Sequence, residues 1–172
     1  LMIKLIECVP NFSEGRDKNK IDDIISSMEI NAEIIVLDID MGFDTNRTVV
    51  TIVGQPEEIF KAAFHGIKRA SELIDMKQHS GSHPRLGSTD VCPLIPISNV
   101  TDDECIKLSL KLGKKVGDEL GIPIYLYEKS AKKSYRKKLP EIRKGEYEGL
   151  DEKLKNKKWV PDFGPSKMNI SA

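Results

Sequence analysis

The stretch that decides the fold covers residues 33–54 and reads EIIVLDIDMGFDTNRTVVTIVG. Two runs rich in β-branched residues flank a short Gly/Asn turn, MGFDTN, and runs of this composition are typical of strands. The first run reaches the turn at Asp40 and the second leaves it at Arg47. Because the link is short, the two strands are predicted to be antiparallel neighbours in one sheet.

The sequence on either side supplies the elements that this hairpin needs. Residues 3–9 alternate as a strand does, and residues 20–28 carry apolar side chains at helical spacing. A second helix starts at Pro56, and residues 91–97 form a strand that its two prolines restrict to a sheet edge or a bulge. The order βαββαβ predicts an α+β fold with a ferredoxin-like core and a mostly antiparallel sheet.

One more helix and one more strand are predicted to extend this core. Thr101 and Glu104 have the spacing of a capping box, and Gly121 ends the helix that they open. Residues 122–127 are predicted to form a fifth strand, whereas residues 11–15 are interpreted as a loop.

Composition narrows the function classes. The 172 residues suit a single domain, and 27 basic against 27 acidic residues give no net charge that would indicate nucleic acid or an anionic membrane as a partner. Three separated cysteines suit neither a disulfide framework nor a zinc site, which favours a reducing cytoplasm. No apolar run approaches the ~20 residues of a membrane span.

The polar stretch HSGSHPRLGSTD, residues 79–90, is the richest in groups that can do chemistry. A metal site made by His79 and His83 is disfavoured because glycine and proline oppose a helix there, so no metal is expected. His83 is interpreted either as a loop imidazole satisfied by backbone carbonyls or as a base beside Arg85, whose guanidinium can hold a carboxylate. His79 is expected to be a loop residue only.

The hairpin carries two further candidates. Asp38 and Asp40 alternate along one strand and therefore share a face, and Asp40, at the strand end, is better placed to orient an imidazole. Arg47 is predicted either to pair with Asp40 or to bind a ligand. The basic run of residues 129–144 is typical of a solvated helix face, with attraction of an anionic tail or of RNA as weaker alternatives.

Several motifs together resemble the amino-terminal subdomain of the formiminotransferase domain found in the formiminotransferase-cyclodeaminase family. They are ECVPNFSEGRD, LDIDMGFDTNRTVVTIVGQPE, SHPRLGSTDVCPLIP, IPIYLYE, LPEIRKGEYEGL and WVPDFGP. They occur in family order over nearly the whole chain.

The resemblance implies glutamate formimidoyltransferase activity: transfer of a formimino group from N-formimino-L-glutamate to tetrahydrofolate, giving 5-formimino-tetrahydrofolate and L-glutamate in histidine degradation. Tetrahydrofolate is then a co-substrate, with or without a polyglutamate tail. His83 of the HPR motif is implied to be the catalytic base and Asp40 its assistant. An imidazole, with an ordinary pKa of ~6.5, suits proton removal from N5 of the folate near neutrality.

The resemblance also suggests substrate-binding residues. Arg47, Arg85 and Arg16 are expected to meet carboxylates, and Asn11 and Asn46 to donate amide hydrogen bonds. The segment that begins at the glycine of PDFGP is implied to line the folate site; it comprises Gly164, Pro165, Ser166, Lys167, Met168, Asn169, Ile170, Ser171 and Ala172.

In the family a second subdomain follows this segment and the folate site lies between the two. We therefore expect residues 1–172 to be a single amino-terminal subdomain, without the second subdomain and without a cyclodeaminase domain. Its expected partners are a second copy of itself or a separate second-subdomain subunit. The alternative to an enzyme is a non-catalytic subunit that binds folate or a partner.

Overall fold

The computed structural model describes residues 2–169, and within that range six strands form one antiparallel sheet. The strands are β1 (Leu5–Cys8), β2 (Asn11–Phe12), β3 (Ile34–Gly42), β4 (Arg47–Gly54), β5 (Thr89–Val91) and β6 (Leu94–Ser98). β3 pairs with one edge of β4, while β1 and β2 lie end to end along the other edge. β6 then pairs with β1, and β5 pairs with β2. The fold is thus a mixture of helices with an antiparallel sheet.

Proline explains why two of these strands are interrupted. Pro10 separates β1 from β2, and Pro93 separates β5 from β6, because neither residue has an N–H to offer the ladder. Their carbonyls still accept: Val9 N donates to Pro93 O at 3.3 Å, and Val50 N donates to Pro10 O at 3.0 Å. The prediction of an edge strand broken by proline is confirmed.

Five α-helices accompany the sheet in the described range. They are α1 (Lys18–Asn31), α2 (Pro56–Leu73), α3 (Asp102–Leu120), α4 (Leu139–Arg143) and α5 (Leu150–Lys155), with short 3₁₀ turns at Glu128–Ser130, Ser134–Arg136 and Lys157–Trp159. The capping box of Thr101 and Glu104 is formed, and Gly121 ends α3 in the left-handed conformation at φ +64°. Both predicted signals of α3 are therefore confirmed.

The core lies between α1, α2 and one face of the sheet. Ile6 and Ile52 from the strands and Ile24 and Met28 from α1 have no exposed surface. Burying a side chain of this size contributes about 1.5–3 kcal/mol.

The opposite face of the sheet is open. Ile35, Leu37 and Ile97 are 63%, 57% and 55% exposed. The register pairs Asp38 with Thr51 and Asp40 with Val49, so the two carboxylates share a face as predicted, and that face is the open one.

Two predicted elements are wrong. Residues 11–12 belong to strand β2 rather than to a loop, because Asn11 and Phe12 pair with β4 on one side and β5 on the other. The predicted fifth strand at residues 122–127 does not form; it makes one isolated bridge, between Ile124 and Phe163. Pro123 removes a ladder donor there.

Candidate active site

The loop of residues 79–88 is seated on the turn of the β3–β4 hairpin. Ser82 N donates to Asp44 O at 3.2 Å, and the Asn46 side chain donates to Ser80 O at 3.0 Å while accepting from Gly15 N at 2.9 Å. The contact requires glycine at position 81, since a Cβ there would lie 2.2 Å from the carbonyl oxygen of Thr45. Three separate segments are thereby held together.

His83 is half-buried in this loop, and its Nδ1 lies 2.7 Å from the carbonyl oxygen of Pro84. A carbonyl oxygen can only accept, so in the neutral ring Nδ1 carries the proton and Nε2 keeps a lone pair. A backbone carbonyl thus satisfies one ring nitrogen, as the first interpretation expects, and the role of His83 as a base stays a prediction.

His79 is more than a loop residue. Its Nδ1 accepts from Arg85 Nε at 3.0 Å, and its Nε2 lies 2.8 Å from the carbonyl oxygen of Asn46. Both ring nitrogens are therefore occupied by protein groups. Across residues 2–169 no group of three or more His, Cys, Asp and Glu side chains is arranged to hold a metal ion.

Arg85 differs from the carboxylate-binding residue that the sequence suggests, because its guanidinium already binds the protein. It is buried, with 6% exposure, and donates to Glu148 at 2.6 and 2.8 Å, to Glu146 at 2.8 Å and to the carbonyl of His79 at 3.1 Å. The hydrogen bonds with Glu148 raise the pKa of Arg85, and the guanidinium in turn lowers the pKa of Glu148. One cation beside two carboxylates gives this cluster a net negative charge.

The sequence interpretation missed Glu146 and Glu148 as partners of the loop. Their signal is the segment Gly145-Glu146-Tyr147-Glu148-Gly149, in which two glycines bracket two carboxylates. Glu146 adopts φ +52°, the left-handed region that non-glycine residues rarely occupy. This strained turn presents both carboxylates to Arg85.

A second buried cluster has the opposite charge. Arg47 Nη1 donates to Asp90 at 2.6 Å, Arg143 Nε donates to the same carboxylate at 3.0 Å, and the Asp90 side chain has no exposed surface. The predicted pairing of Arg47 with Asp40 is therefore wrong; Asp90 is the acid. Burial lowers the pKa of Arg47 in spite of this partner.

Two arginines against one aspartate leave the second cluster with one excess positive charge. The Nε of Arg47 also donates to Asn11 Oδ1 at 3.1 Å, whereas within residues 2–169 its Nη2 makes no hydrogen bond. Asn11 lies in the same row of the open sheet face as Asp40, because both residues pair with Val49. An anion at this face would find a donor at Arg47.

The segment that begins at Gly164, the glycine of PDFGP, lies against the end of α3. Gly164 adopts φ +81°, and a Cβ on it would lie 2.3 Å from the carbonyl of Ile122. Asn169 donates to the carbonyls of Leu120 and Gly121 at 2.8 and 3.3 Å. These hydrogen bonds of Asn169 join the segment to the end of α3. The predicted site residues Ile170, Ser171 and Ala172 lie outside the described residues.

The structure thus holds a histidine on a loop that is fixed to the hairpin turn and, as a separate feature, a buried arginine–aspartate cluster with excess positive charge. The chain belongs to the family described as "Formiminotransferase domain, N-terminal subdomain", which matches residues 5–172.

Named relatives agree with this family. The chain is 54% identical to a formimidoyltransferase-cyclodeaminase of Dictyostelium discoideum, over 97% of the chain and 31% of that protein. It is 50% identical to the formimidoyltransferase-cyclodeaminase of Mus musculus, over 96% of the chain and 30% of that protein. A glutamate formimidoyltransferase of Streptococcus pyogenes serotype M1 is 44% identical over 99% of the chain and 57% of its own length. The chain thus spans about a third to just over half of these relatives.

Proposed function

We propose that this chain supplies the amino-terminal half of a glutamate formimidoyltransferase, a cytoplasmic enzyme that moves the formimino group of N-formimino-L-glutamate to tetrahydrofolate. The observation that carries the proposal is the 2.7 Å contact between Nδ1 of His83 and the carbonyl oxygen of Pro84, from which we infer that the proton of the neutral ring is on Nδ1 and the lone pair is on Nε2. The residues described supply no metal cluster, and the proposed reaction uses none.

Proton transfer is the step that His83 performs in this proposal. When N5 of tetrahydrofolate attacks the amidine carbon, a tetrahedral intermediate forms and N5 becomes positively charged. Nε2 of His83 removes that proton and then returns it to the nitrogen of the departing L-glutamate, leaving 5-formimino-tetrahydrofolate. Arg47 binds a substrate carboxylate, since its cluster carries excess positive charge and its Nη2 has donors to spare. Asp40 stays a predicted assistant of the imidazole.

The amide residues contribute mainly by holding the site together. Both groups of the Asn46 side chain are engaged by the loops around it, and Asn11 Oδ1 accepts from Arg47 while its Nδ2 donates to Val9 O at 2.7 Å. Arg85, saturated by Glu146 and Glu148, is proposed to position the loop rather than to bind substrate.

We further propose that residues 1–172 are one subdomain with a ferredoxin-like core. The strand neighbours β6–β1–β4–β3, all antiparallel, support this assignment. A second subdomain, on the same or a separate polypeptide, or a second copy of this chain covers the open sheet face. The exposed side chains of Ile35, Leu37 and Ile97 and the greater length of the relatives support such a partner.

The test is turnover of formiminoglutamate and tetrahydrofolate, measured as glutamate release, by the chain alone and by the chain co-expressed with a candidate second subdomain. His83→Ala should lower the rate by about 10²- to 10⁴-fold, the usual contribution of a general base. His65→Ala on α2 is the matched histidine control and should keep full activity. A folded His83→Ala protein with unchanged activity would refute the assignment of the base.

A non-catalytic role is the second candidate, favoured by the exposed sheet face. Calorimetry separates the two: binding of tetrahydrofolate without turnover, in every pairing tested, would indicate a binding subunit. Sedimentation of the chain as a monomer at all concentrations would count against the second-copy arrangement.

A further inference from the structure

Two of the three cysteines are in direct contact. The sulfurs of Cys8 and Cys92 lie 3.5 Å apart, although the residues are 84 positions apart in sequence. Cys8 is at the end of β1 and has no exposed surface, while Cys92 is half-buried in the break between β5 and β6. Both are free thiols. The proline kink at position 93 is what turns Cys92 toward β1, since Val9 N donates to Pro93 O in the same place.

A cavity gives one of the two thiols a route to small solutes. It has a volume of about 510 Å³, and both Cys92 and Cys105 line it, whereas Cys8 lies behind Cys92 and does not. The cavity walls are mainly apolar, with side chains such as Leu94, Leu112 and Ile142. A small neutral oxidant can therefore reach Cys92 before it reaches Cys8.

The two thiols also differ in which of them reacts first. The hydrogen bond with Cys92 and burial hold the pKa of Cys8 well above its ordinary value. Cys8 therefore keeps its proton, and the sulfur that an oxidant in the cavity meets first is that of Cys92.

We propose that Cys8 and Cys92 form a reversible dithiol–disulfide site, oxidised by hydroperoxides that enter through the cavity. The sulfur of Cys92 attacks a peroxide oxygen and the O–O bond breaks; Cys92 becomes a sulfenic acid, and the leaving hydroxide or alkoxide takes up the thiol proton of Cys92 and departs as water or an alcohol. The sulfur of Cys8 then attacks the sulfur of the sulfenic acid; an S–S bond forms, the S–O bond breaks and water leaves with the proton of Cys8. Two thiols and one molecule of hydrogen peroxide thus give one disulfide and two molecules of water.

Cys105 provides the matched control that the chain itself offers. It lines the same cavity, so it meets the same oxidant, but it is not in contact with a second thiol. Any oxidation at Cys105 should therefore add oxygen to the protein, whereas oxidation at the contact pair should remove two hydrogens.

The experiment is intact-mass and peptide analysis of the full chain after brief exposure to hydrogen peroxide. The unmodified chain and Cys105→Ser should each lose two hydrogens, yield a linked peptide containing Cys8 and Cys92, and recover their mass with dithiothreitol. In Cys8→Ser, dimedone should trap a sulfenic acid at Cys92; in Cys92→Ser, Cys8 should stay unmodified.

The linked peptide of the unmodified chain does not depend on whether either variant folds. The proposal is overturned by a bond between Cys92 and Cys105, by oxygen addition at Cys92 without a disulfide, or by a Cys8–Cys92 pair still reduced after Cys105 has reacted completely. A chain in which all three thiols resist hydrogen peroxide would overturn it equally.

Discussion

Replacing Arg85 by methionine separates two roles proposed for this arginine of the His83 loop. The sequence suggests a guanidinium that binds a substrate carboxylate, and the structure shows one that binds the protein. The change keeps the apolar stem of the side chain but shortens it and removes every donor. Glu146 and Glu148 would return to water, since their side chains are 43% and 66% exposed, so no charge is left buried.

The loss that remains is local to the loop. The ring nitrogen and the carbonyl of His79 each lose a charged donor at 3.0 and 3.1 Å. Unmade hydrogen bonds of this kind cost about 2 kcal/mol, which for a chain of this length lowers the thermal midpoint by about 4–8 °C. Because His83 is on the same loop, a small displacement of its imidazole lowers kcat by up to about 10²-fold.

Steady-state kinetics and thermal unfolding of Arg85→Met decide between the roles. If Arg85 positions the loop, the variant should have a lower thermal midpoint and a lower kcat, with KM for formiminoglutamate nearly unchanged. If Arg85 binds substrate, the variant should have a raised KM and normal stability. The matched control is Arg69→Met, since Arg69 also forms a two-point pair, with Asp23, but on the surface. Its loss should be below about 1 kcal/mol. A raised KM with unchanged stability in Arg85→Met would refute the structural interpretation.

Three further perturbations test other parts of the molecule. Asp90→Asn should cost about 3–5 kcal/mol in urea unfolding, because two buried guanidinium groups lose their counter-charge; a loss under about 1 kcal/mol would contradict this. The pKa of Glu104 is lowered to about 2, chiefly by the hydrogen bond with Lys4. Ionised Glu104 therefore stabilises the folded chain fully above the ordinary pKa of 4.5, and this contribution is lost as the pH falls from 4.5 toward 2. In Glu104→Gln the free energy of unfolding should therefore depend less on pH between 4.5 and 2, and an unchanged dependence would disprove this contribution of Glu104. Gly81→Ala should lower kcat, because its Cβ would lie 2.2 Å from a carbonyl of the hairpin turn; Ser82→Ala, which keeps the backbone contact, should not.

The sequence predicted correctly those elements whose formation depends on residues close together in the chain. The β3–β4 hairpin follows from its β-branched runs and its turn, and α3 follows from the capping box at Thr101 and the glycine at position 121. The edge position of the strand at residues 91–97 could also be predicted, because a proline cannot donate a ladder hydrogen bond in any strand. Strand β2 was not, because two residues become a strand only through partners far away in the chain.

The site shows the same division. His83 could be selected from the sequence because a histidine among small residues and next to proline contributes little to core packing. The partner of Arg85, by contrast, is 63 residues away at Glu148, and Arg47 finds its acid 43 residues away at Asp90. A charge pattern along one chain cannot say which of 27 acidic residues meets which of 27 basic ones. That choice is made by the topology of the sheet and by burial.

The hydrogen bond between the His83 ring and the carbonyl of Pro84 makes the orientation of the imidazole a property of two consecutive residues. A carboxylate on a distant segment can orient an imidazole too, but its distance to the ring changes whenever that segment shifts. Here the acceptor travels with the ring, and proline limits the backbone torsion between them. Grafting this loop into another scaffold should therefore keep the proton of the neutral imidazole on Nδ1 and its lone pair on Nε2.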